Sequence, residues 1–341
     1  MDTNQPRTWT LHAGHTLPHL DPQQPPMLSV VIPVYNEAEA LPTLLARLDG
    51  VLQRLRVSSE VLLVDDGSTD ATWSLITRHC QARQEQPGLA RARWRGLRLS
   101  RNFGQQAALW LALQHAAGAS VAILDADLQD PPELLEEFLR HWQDGAEVVY
   151  AVRRKRKEAW PKRLAYFLYY RLLGALAEVV IPPDAGDFCL MDRRVVQAIL
   201  AGNECTPFIR GLRAWAGYRQ VGVPYEREAR VAGGAKYTLR RLLRLAADGV
   251  FGFTTKPLRL ASYAGLVCLT ISLAGVVLAL AGAVPATLAH ATLLAVVLLA
   301  GVQLVSIGLL GEYVGRIALH VRRRPVALVR EYCGGQPTTL S

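Results

Sequence analysis

The 341-residue chain carries 38 Lys and Arg against 29 Asp and Glu, a formal charge of +9, and half of its residues are hydrophobic, which leaves room for one α/β domain and a further apolar segment. Its five cysteines, Cys80, Cys189, Cys205, Cys268 and Cys333, are scattered, odd in number and without metal-type spacing; neither a disulfide framework nor a zinc site is indicated, and a reducing compartment fits. The basic residues cluster beside the apolar segment and form no nucleic-acid motif, so the charge points to anionic lipid rather than to DNA or RNA.

Residues 1–26, rich in Pro, Gln, Thr and His, read as a disordered tail and lack the charged start and apolar run of a secretory signal. From Leu28 onward, short apolar runs alternate with amphipathic stretches, the mark of βα units and a mainly parallel sheet. The pattern predicts strands over Ser29 to Ile32, Val61 to Val64, Arg95 to Leu99, Val121 to Leu124 and Glu147 to Val152. Helices are expected over Ala38 to Leu52, Ala71 to Arg83, Gln105 to Ala117 and Pro132 to Gln143, the last opened by prolines that need no amide partner in a first turn. The α/β domain so outlined spans residues 27–230.

After Val152 comes a basic run, Arg153 to Lys157. Residues 160–180 then mix Tyr166, Phe167, Tyr169 and Tyr170 with Lys162, Arg163 and Arg171, which suits a helix lying in a bilayer interface. A juxtamembrane amphipathic helix is expected over residues 231–259, with Arg240, Arg241 and Arg244 set against Leu239, Leu242, Leu243 and Leu245. No Asp, Glu, Lys or Arg then occurs between Arg259 and Glu312. Pro285 divides this run into residues 260–283 and 291–311, each close to the ~20 residues that cross ~30 Å of hydrocarbon as a helix. Lys256 and Arg259 precede the pair, Arg316 and Arg322 to Arg324 follow it, and the loop between has no cation. The positive-inside rule therefore places the N-terminal domain, both termini and a basic tail over residues 312–341 in the cytoplasm.

The chemistry concentrates where predicted strands end. Asp125-Ala126-Asp127-Leu128-Gln129-Asp130 follows the fourth strand, and residues two apart in an extended segment point the same way. Two carboxylates so close need a cation, and hard oxygen donors select Mg²⁺ or Mn²⁺. Metals of this kind usually bring phosphate. Asp65 and Asp66 end the second strand and Pro33-Val34-Tyr35-Asn36-Glu37 ends the first, where open α/β sheets bind ligands. An aromatic ring and acids suit a base and a ribose, while Asp65 and Asp70 could instead cap the following helix. Neither a P-loop nor a dinucleotide fingerprint is present.

The segments SVVIPVYNEAEALP from Ser29, VLLVDDGSTDATW from Val61, LSRNFGQQAAL from Leu99 and ILDADLQDPPE from Ile123 resemble the inverting, GT-A-fold glycosyltransferases of family 2. DAGDFCLMDRR from Asp184, YEREAR from Tyr225, GGAKYTLRRLL from Gly233 and GLLGEYVGRI from Gly308 resemble, more narrowly, its polyprenyl-phosphate subgroup. That subgroup contains dolichol-phosphate mannose synthases and bacterial polyprenyl-phosphate glucosyltransferases. The resemblance implies a Rossmann-like GT-A catalytic domain, juxtamembrane helices and a two-helix transmembrane hairpin, in the bacterial inner membrane. It implies transfer of a hexose, glucose before mannose, from a UDP-glucose or GDP-mannose type donor to a polyprenyl phosphate, with Mg²⁺ or Mn²⁺ as cofactor and a homo-oligomer as the assembly.

Carried over to this chain, the resemblance assigns Pro33, Tyr35, Glu37 and Asp66 to the nucleotide and Asp125, Asp127 and Gln129 to the metal. Arg153, Arg227 and Lys236 would face phosphates of donor or acceptor, and Asp187 would lie near the transferred sugar as a catalytic residue. Ala235 stands where the family usually has Ser, so no phosphate contact from a hydroxyl is expected there. A processive polysaccharide synthase is the nearest enzymatic alternative. It calls for a Gln-x-x-Arg-Trp motif, but Ala90 precedes Arg93-Trp94, and for more than two spans. An inactive lipid-binding scaffold is the alternative from another class, opposed by the intact Asp125, Asp127 and Gln129.

Overall fold

The computed structural model describes residues 25–85, 92–153, 185–226, 288–322 and 324–335, with isolated helical positions between 263 and 277. Its first half alternates strand and helix: β1 (Leu28–Val34), α1 (Leu41–Leu55), β2 (Ser59–Asp65), α2 (Thr72–Glu85), β3 (Ala92–Leu99), α3 (Gln105–His115), β4 (Ser120–Ile123) and α4 (Leu134–Gln143). There follow β5 (Val148–Arg153), β6 (Ala185–Asp192), α5 (Arg193–Ala201), α6 (Ile209–Trp215), β7 (Gln220–Tyr225), α7 (Leu288–Arg322) and β8 (Val329–Cys333).

β1 and β2 are buried along their whole length, as parallel strands covered on both faces must be. Leu28, Val30, Ile32 and Val34 point to one side, where Leu44, Leu48, Ile76, Phe138 and Trp142 of α1, α2 and α4 cover them. Val31, Leu62 and Val64 point to the other, against Leu109 and Leu113 of α3, Val196 of α5 and Leu212 of α6. The period of two along each strand thus makes a three-layer α/β/α sandwich.

The sheet runs in the order β7-β5-β6-β4-β1-β2-β3-β8. β1 is parallel to β2 and β4, β2 to β3, and β5 to β7. β6 is antiparallel to both β4 and β5, and β8 is antiparallel to β3. One edge of the sheet therefore collects the carboxyl ends of the parallel strands and the starts of β6 and β8. Towards the opposite edge, buried Glu60 accepts from Ser29 Oγ, the Ala117 amide and Arg95. That polar group is satisfied and structural.

The predicted strands and helices in residues 28–152 all appear, with ends shifted by a few residues. α4 begins at Leu134 because residues 131–133 form a tighter turn, in which Leu134 N donates to Pro131 O at 3.2 Å and Leu135 N to Pro132 O at 3.1 Å. The C-terminal segment departs from expectation. The second apolar helix does not stop near Gly311: α7 runs to Arg322, carried on by an Arg316 Nε to Glu312 Oε1 ion pair at 3.0 Å. Residues 312–341 are not only a tail, since β8 joins the eight-stranded sheet, with Arg98 paired to Glu331 and Leu97 to Tyr332. An unpaired β3 edge and the short Val-Arg-Glu-Tyr-Cys run supply the physical reason.

From Leu298 to Arg322, α7 is long and apolar enough to cross a membrane and buries none of that window against protein. It is the one such helix among the described residues. The expected interface helix at 160–180, the juxtamembrane helix at 231–259 and most of the first span at 260–283 lie outside the described residues, as do residues 1–24.

Candidate active site

Three loops meet at the carboxyl edge of the sheet. After β1, Asn36 adopts a left-handed conformation with φ of 52°, which Asn tolerates better than most residues. Its amide donates to Ser68 Oγ at 2.9 Å, and its side-chain oxygen accepts from Thr69 N at 2.9 Å. The loop after β1 is thereby locked to the loop after β2, leaving Tyr35 exposed. Pro33 lies within β1 and Glu37 directly beyond the turn, where its amide donates to Thr72 Oγ1 at 3.1 Å.

The three acids at the end of β2 and in the loop after it divide their work. Asp65 is fully buried, accepts from Ser68 N at 3.0 Å and is ion-paired to Arg98 at 3.4 Å. Burial pushes its carboxyl pKa up, against the opposing pull of Ser68 and Arg98. Asp66 accepts from Phe103 N at 2.7 Å and Gly104 N at 2.9 Å. It thereby caps the approach to α3, with its pKa likewise raised by burial. Asp70 accepts from Thr72 N at 3.0 Å and caps α2, the structural role weighed for it from sequence. Gly67, at φ of +69°, makes the turn possible.

The acidic loop after β4 stands next to these. Asp125 accepts from Gln105 Nε2 at 2.8 Å, and Asp127 accepts from the Gln129 amide at 3.2 Å across a left-handed Leu128. Both acids are only partly buried. Asp130, fully buried, accepts from the Tyr225 hydroxyl of β7. Tyr225 also receives Arg153 Nε at 3.4 Å from the end of β5. Burial and the Asp130 charge push the phenol of Tyr225 up to about 12. Burial opposes the Arg153 charge, but Tyr225 and the carboxylates of Asp130 and Asp125 outweigh it and raise the guanidinium pKa.

Asp187 enters from β6, the inserted antiparallel strand, and accepts from Arg210 Nε of α6 at 3.1 Å. One turn on, Arg213 is buried, donates to Gly186 O at 3.3 Å and lies over the Tyr150 ring at 5.0 Å. A side chain on Gly186 would meet Arg153 Nη2 at 3.5 Å, so the guanidinium of Arg153 lies against the start of β6. The fold thus gathers Tyr35, Glu37, Asp66, Asp125, Asp127, Gln129, Arg153 and Asp187 at one edge. Arg227 and Lys236 lie outside the described residues. Sequence reasoning missed Gln105, Arg210 and the Tyr225–Asp130 contact. Gln105 and Tyr225 stand inside motifs that were read for other residues, whereas Arg210 carries no local signal.

The donor set around Asp125 and Asp127 is all oxygen. Among the described residues, no three acid, histidine or cysteine side chains are arranged to hold a metal ion by themselves. Such a half-built, hard-donor site fits Mg²⁺ or Mn²⁺, which are held by one or two carboxylates and complete their shell with water and substrate phosphate.

A family model described as glycosyl transferase family 2 matches residues 29–200, half of the chain. The chain belongs to this family. Its family 2 domain comprises β1 to β6 with the helices between them, and so holds the Asp125 loop and Asp187. A second model, the GtrB C-terminal hairpin, matches residues 256–317 and therefore most of α7. An uncharacterized glycosyltransferase of Synechocystis is 41% identical over 315 residues, covering 90% of this chain and 96% of that protein. A prophage-derived bactoprenol glucosyl transferase of Shigella flexneri is 35% identical over 315 residues, covering 91% and 99%. Among solved structures, a mannosyltransferase from Pyrobaculum calidifontis in complex with GDP-mannose and Mn²⁺ is 23% identical over 89% of this chain and 88% of that one, with a TM-score of 0.43. As a family 2 member this protein is a glycosyltransferase, and the crevice above β1, β2 and β4 is its candidate active site.

Proposed function

We propose that this enzyme transfers glucose from a nucleotide-sugar to a polyprenyl phosphate, with inversion at the anomeric carbon. One observation carries the reading: a metal-type acidic loop, Asp125 to Asp130, opens on the same sheet edge at which the chain returns from α7, an apolar helix that buries none of its Leu298–Arg322 window against protein. An enzyme whose acceptor is a lipid-borne phosphate needs that adjacency. The relative named as a bactoprenol glucosyl transferase, similar over nearly its whole length, supports both glucose and the lipid acceptor.

In this reading Pro33, Tyr35, Glu37 and Asp66 hold the nucleotide, and Asp125, Asp127 and Gln129 hold Mg²⁺ or Mn²⁺. When bound, the metal neutralises charge on the diphosphate as it leaves. Asp187, clamped by Arg210, orients hydroxyls of the sugar. Arg153, braced by Tyr225, presents its guanidinium to a phosphate, and the cationic Arg227 and Lys236 are assigned to phosphates as well. The attacking oxygen belongs to a phosphate monoester with a second pKa near ~6, already anionic at neutral pH, so no strong general base is needed. An oxygen–carbon bond forms at the anomeric carbon, the bond to the nucleoside diphosphate breaks in line with it, and fixed charges supply most of the rate gain.

The domain faces the cytoplasm of a bacterial inner membrane, with both termini inside, basic helices on anionic lipid and a homo-oligomer as the working form. A panel of radiolabelled nucleotide-sugars, tested in detergent against one polyprenyl phosphate with and without EDTA, checks the reading. UDP-glucose should give an EDTA-sensitive lipid-linked product. Absence of lipid-linked product from every donor in the panel overturns it.

A further inference from the structure

The C-terminal strand β8 belongs to no motif read from the sequence, yet it reaches the donor side of the crevice. Glu331 stands opposite Arg98 in the antiparallel pair of β3 and β8. Its Oε1 accepts from Arg98 Nη1 at 3.1 Å, and its Oε2 accepts from Trp73 Nε1 at 2.8 Å. Both carboxylate oxygens are thus engaged, one by the strand beneath and one by α2.

Arg98 then extends into the loop after β2. Its Nε is ion-paired to the buried Asp65 at 3.4 Å, and its Nη2 donates to Ser68 O at 3.4 Å. Ser68 is the residue whose hydroxyl holds the Asn36 amide beside Tyr35. Glu331, Arg98, Asp65 and Ser68 therefore form a continuous brace from the last strand of the chain to both loops assigned to the nucleotide. Charge-assisted bonds on both sides hold the planar guanidinium of Arg98 in one orientation. Without Glu331, Arg98 has a solvent-facing route away from Asp65, since its side chain is 25% exposed.

We propose that Glu331 is a positioning residue for the donor nucleotide. It acts through Arg98 on the Asp65–Ser68 loop, so that the segment following the membrane helix helps to set affinity for the nucleotide-sugar. The proposal rests on the nucleotide assignment of that loop made above. It goes beyond that assignment by giving the chain after α7 a part in donor binding.

The test compares Glu331→Ala, Glu331→Gln and Tyr332→Ala in the full-length detergent-solubilised enzyme. Tyr332 is on the same strand but points to the opposite face, so Tyr332→Ala controls for loosened strand pairing. Glu331→Ala should raise the donor KM about tenfold, the size of one lost charge-assisted bond, while kcat and the acceptor KM stay within about twofold. Glu331→Gln, which keeps the shape but not the charge, should raise it about threefold. Tyr332→Ala should leave it unchanged. An unchanged donor KM in both Glu331 variants, or an equal rise in Tyr332→Ala, overturns the proposal. Should Glu331→Ala fail to fold, the isosteric Glu331→Gln decides. Titration of UDP with Mn²⁺ onto each variant reads the same brace without turnover. If no nucleotide-sugar is turned over by the wild type, the functional reading falls alone and the titration still decides the role of Glu331.

Discussion

The hydroxyl of Tyr225, on the outermost strand of the sheet, hydrogen-bonds Oδ1 of Asp130, the buried acid that closes the loop begun by Asp125. Through this bond β7 holds the metal-type loop, and the same oxygen of Tyr225 receives Arg153. Tyr225→Phe removes a donor from a fully buried carboxylate and frees Arg153 at one stroke. Loss of stability by about 1–3 kcal/mol is expected from chemical denaturation. A rise in the polyprenyl phosphate KM of about fivefold should accompany it, with the donor KM little changed. An unaltered acceptor KM would detach Arg153 from the acceptor.

Asp127→Asn tests the cation directly. Asp127 is partly exposed, and Asn keeps an oxygen for the Gln129 amide, so the fold should be intact by circular dichroism. Turnover should fall by at least ~100-fold, because the variant loses the charge that the hard cation requires. Near-normal rates at any Mn²⁺ concentration would remove Asp127 from the metal site.

The residues that sequence reasoning reached lie on elements with strong local signals. β1, β2 and β4 are buried apolar runs with acids at their ends, and a parallel sheet sends those ends to one edge, so Asp66, Asp125 and Asp127 could be grouped without coordinates. Asp187 was reached through a family motif alone, because β6 is antiparallel and presents its beginning to the crevice. A rule about carboxyl ends does not find it. Arg210 meets Asp187 across the whole of α5 and the loop after it, and Glu331 meets Arg98 across more than two hundred residues. Neither contact leaves a periodic trace. β8 was read as tail because an edge strand with Arg330 and Glu331 has the composition of a solvated segment, and only pairing with β3 makes it a strand. Asp66 shows the opposite limit: assigned to a ligand, it also serves the backbone of Phe103 and Gly104.

Gly67 and Gly104 both have positive φ, yet their substitutions should differ. A Cβ on Gly67 would come within 2.6 Å of Arg101 C and 2.9 Å of Asn102 N, both backbone atoms, whereas one on Gly104 meets nothing within 4 Å. Gly104 sits at φ 101° and ψ 151°, a positive-φ extended conformation open essentially to glycine alone, so Gly104→Ala should cost backbone strain of about 1–3 kcal/mol with no clash added. Gly67→Ala adds a clash that forces the Asp66 loop away from α3, for about 2–4 kcal/mol in all and roughly tenfold weaker UDP binding. Equal losses in the two variants, by thermal unfolding and UDP titration, would contradict this packing.

His79 gives the pH dependence of stability a defined sign. Burial foremost, and the neighbouring Arg83, lower its pKa from 6.5 to about 4, while its ring packs edge-on to Trp94 at 4.4 Å. Between those two values the unfolded chain binds more protons than the folded one. The stabilising contribution is therefore complete above about pH 6.5 and is lost as the pH falls towards 4. His115 is shifted the same way, chiefly by burial. The midpoint of thermal unfolding should drop between about pH 7.5 and about pH 5.5, and less steeply in His79→Gln. A slope identical to wild type would assign the drop to other groups.

The membrane reading of α7 makes the last prediction. Leu304 is 70% exposed and Val305 69%, with Ile307 and Leu310 also more than half exposed. An apolar helix whose described side chains stay exposed along its length suits association with a membrane. Arg at the centre of a spanning helix costs about 2.5–3.5 kcal/mol of insertion free energy. Leu304→Arg should lower the carbonate-resistant, membrane-embedded fraction, while Leu304→Ile and the Asp127→Asn active-site variant remain embedded. Full retention of Leu304→Arg would mean that this face packs on protein, such as a second copy of the chain. Full release of the wild type by carbonate would show that α7 does not span.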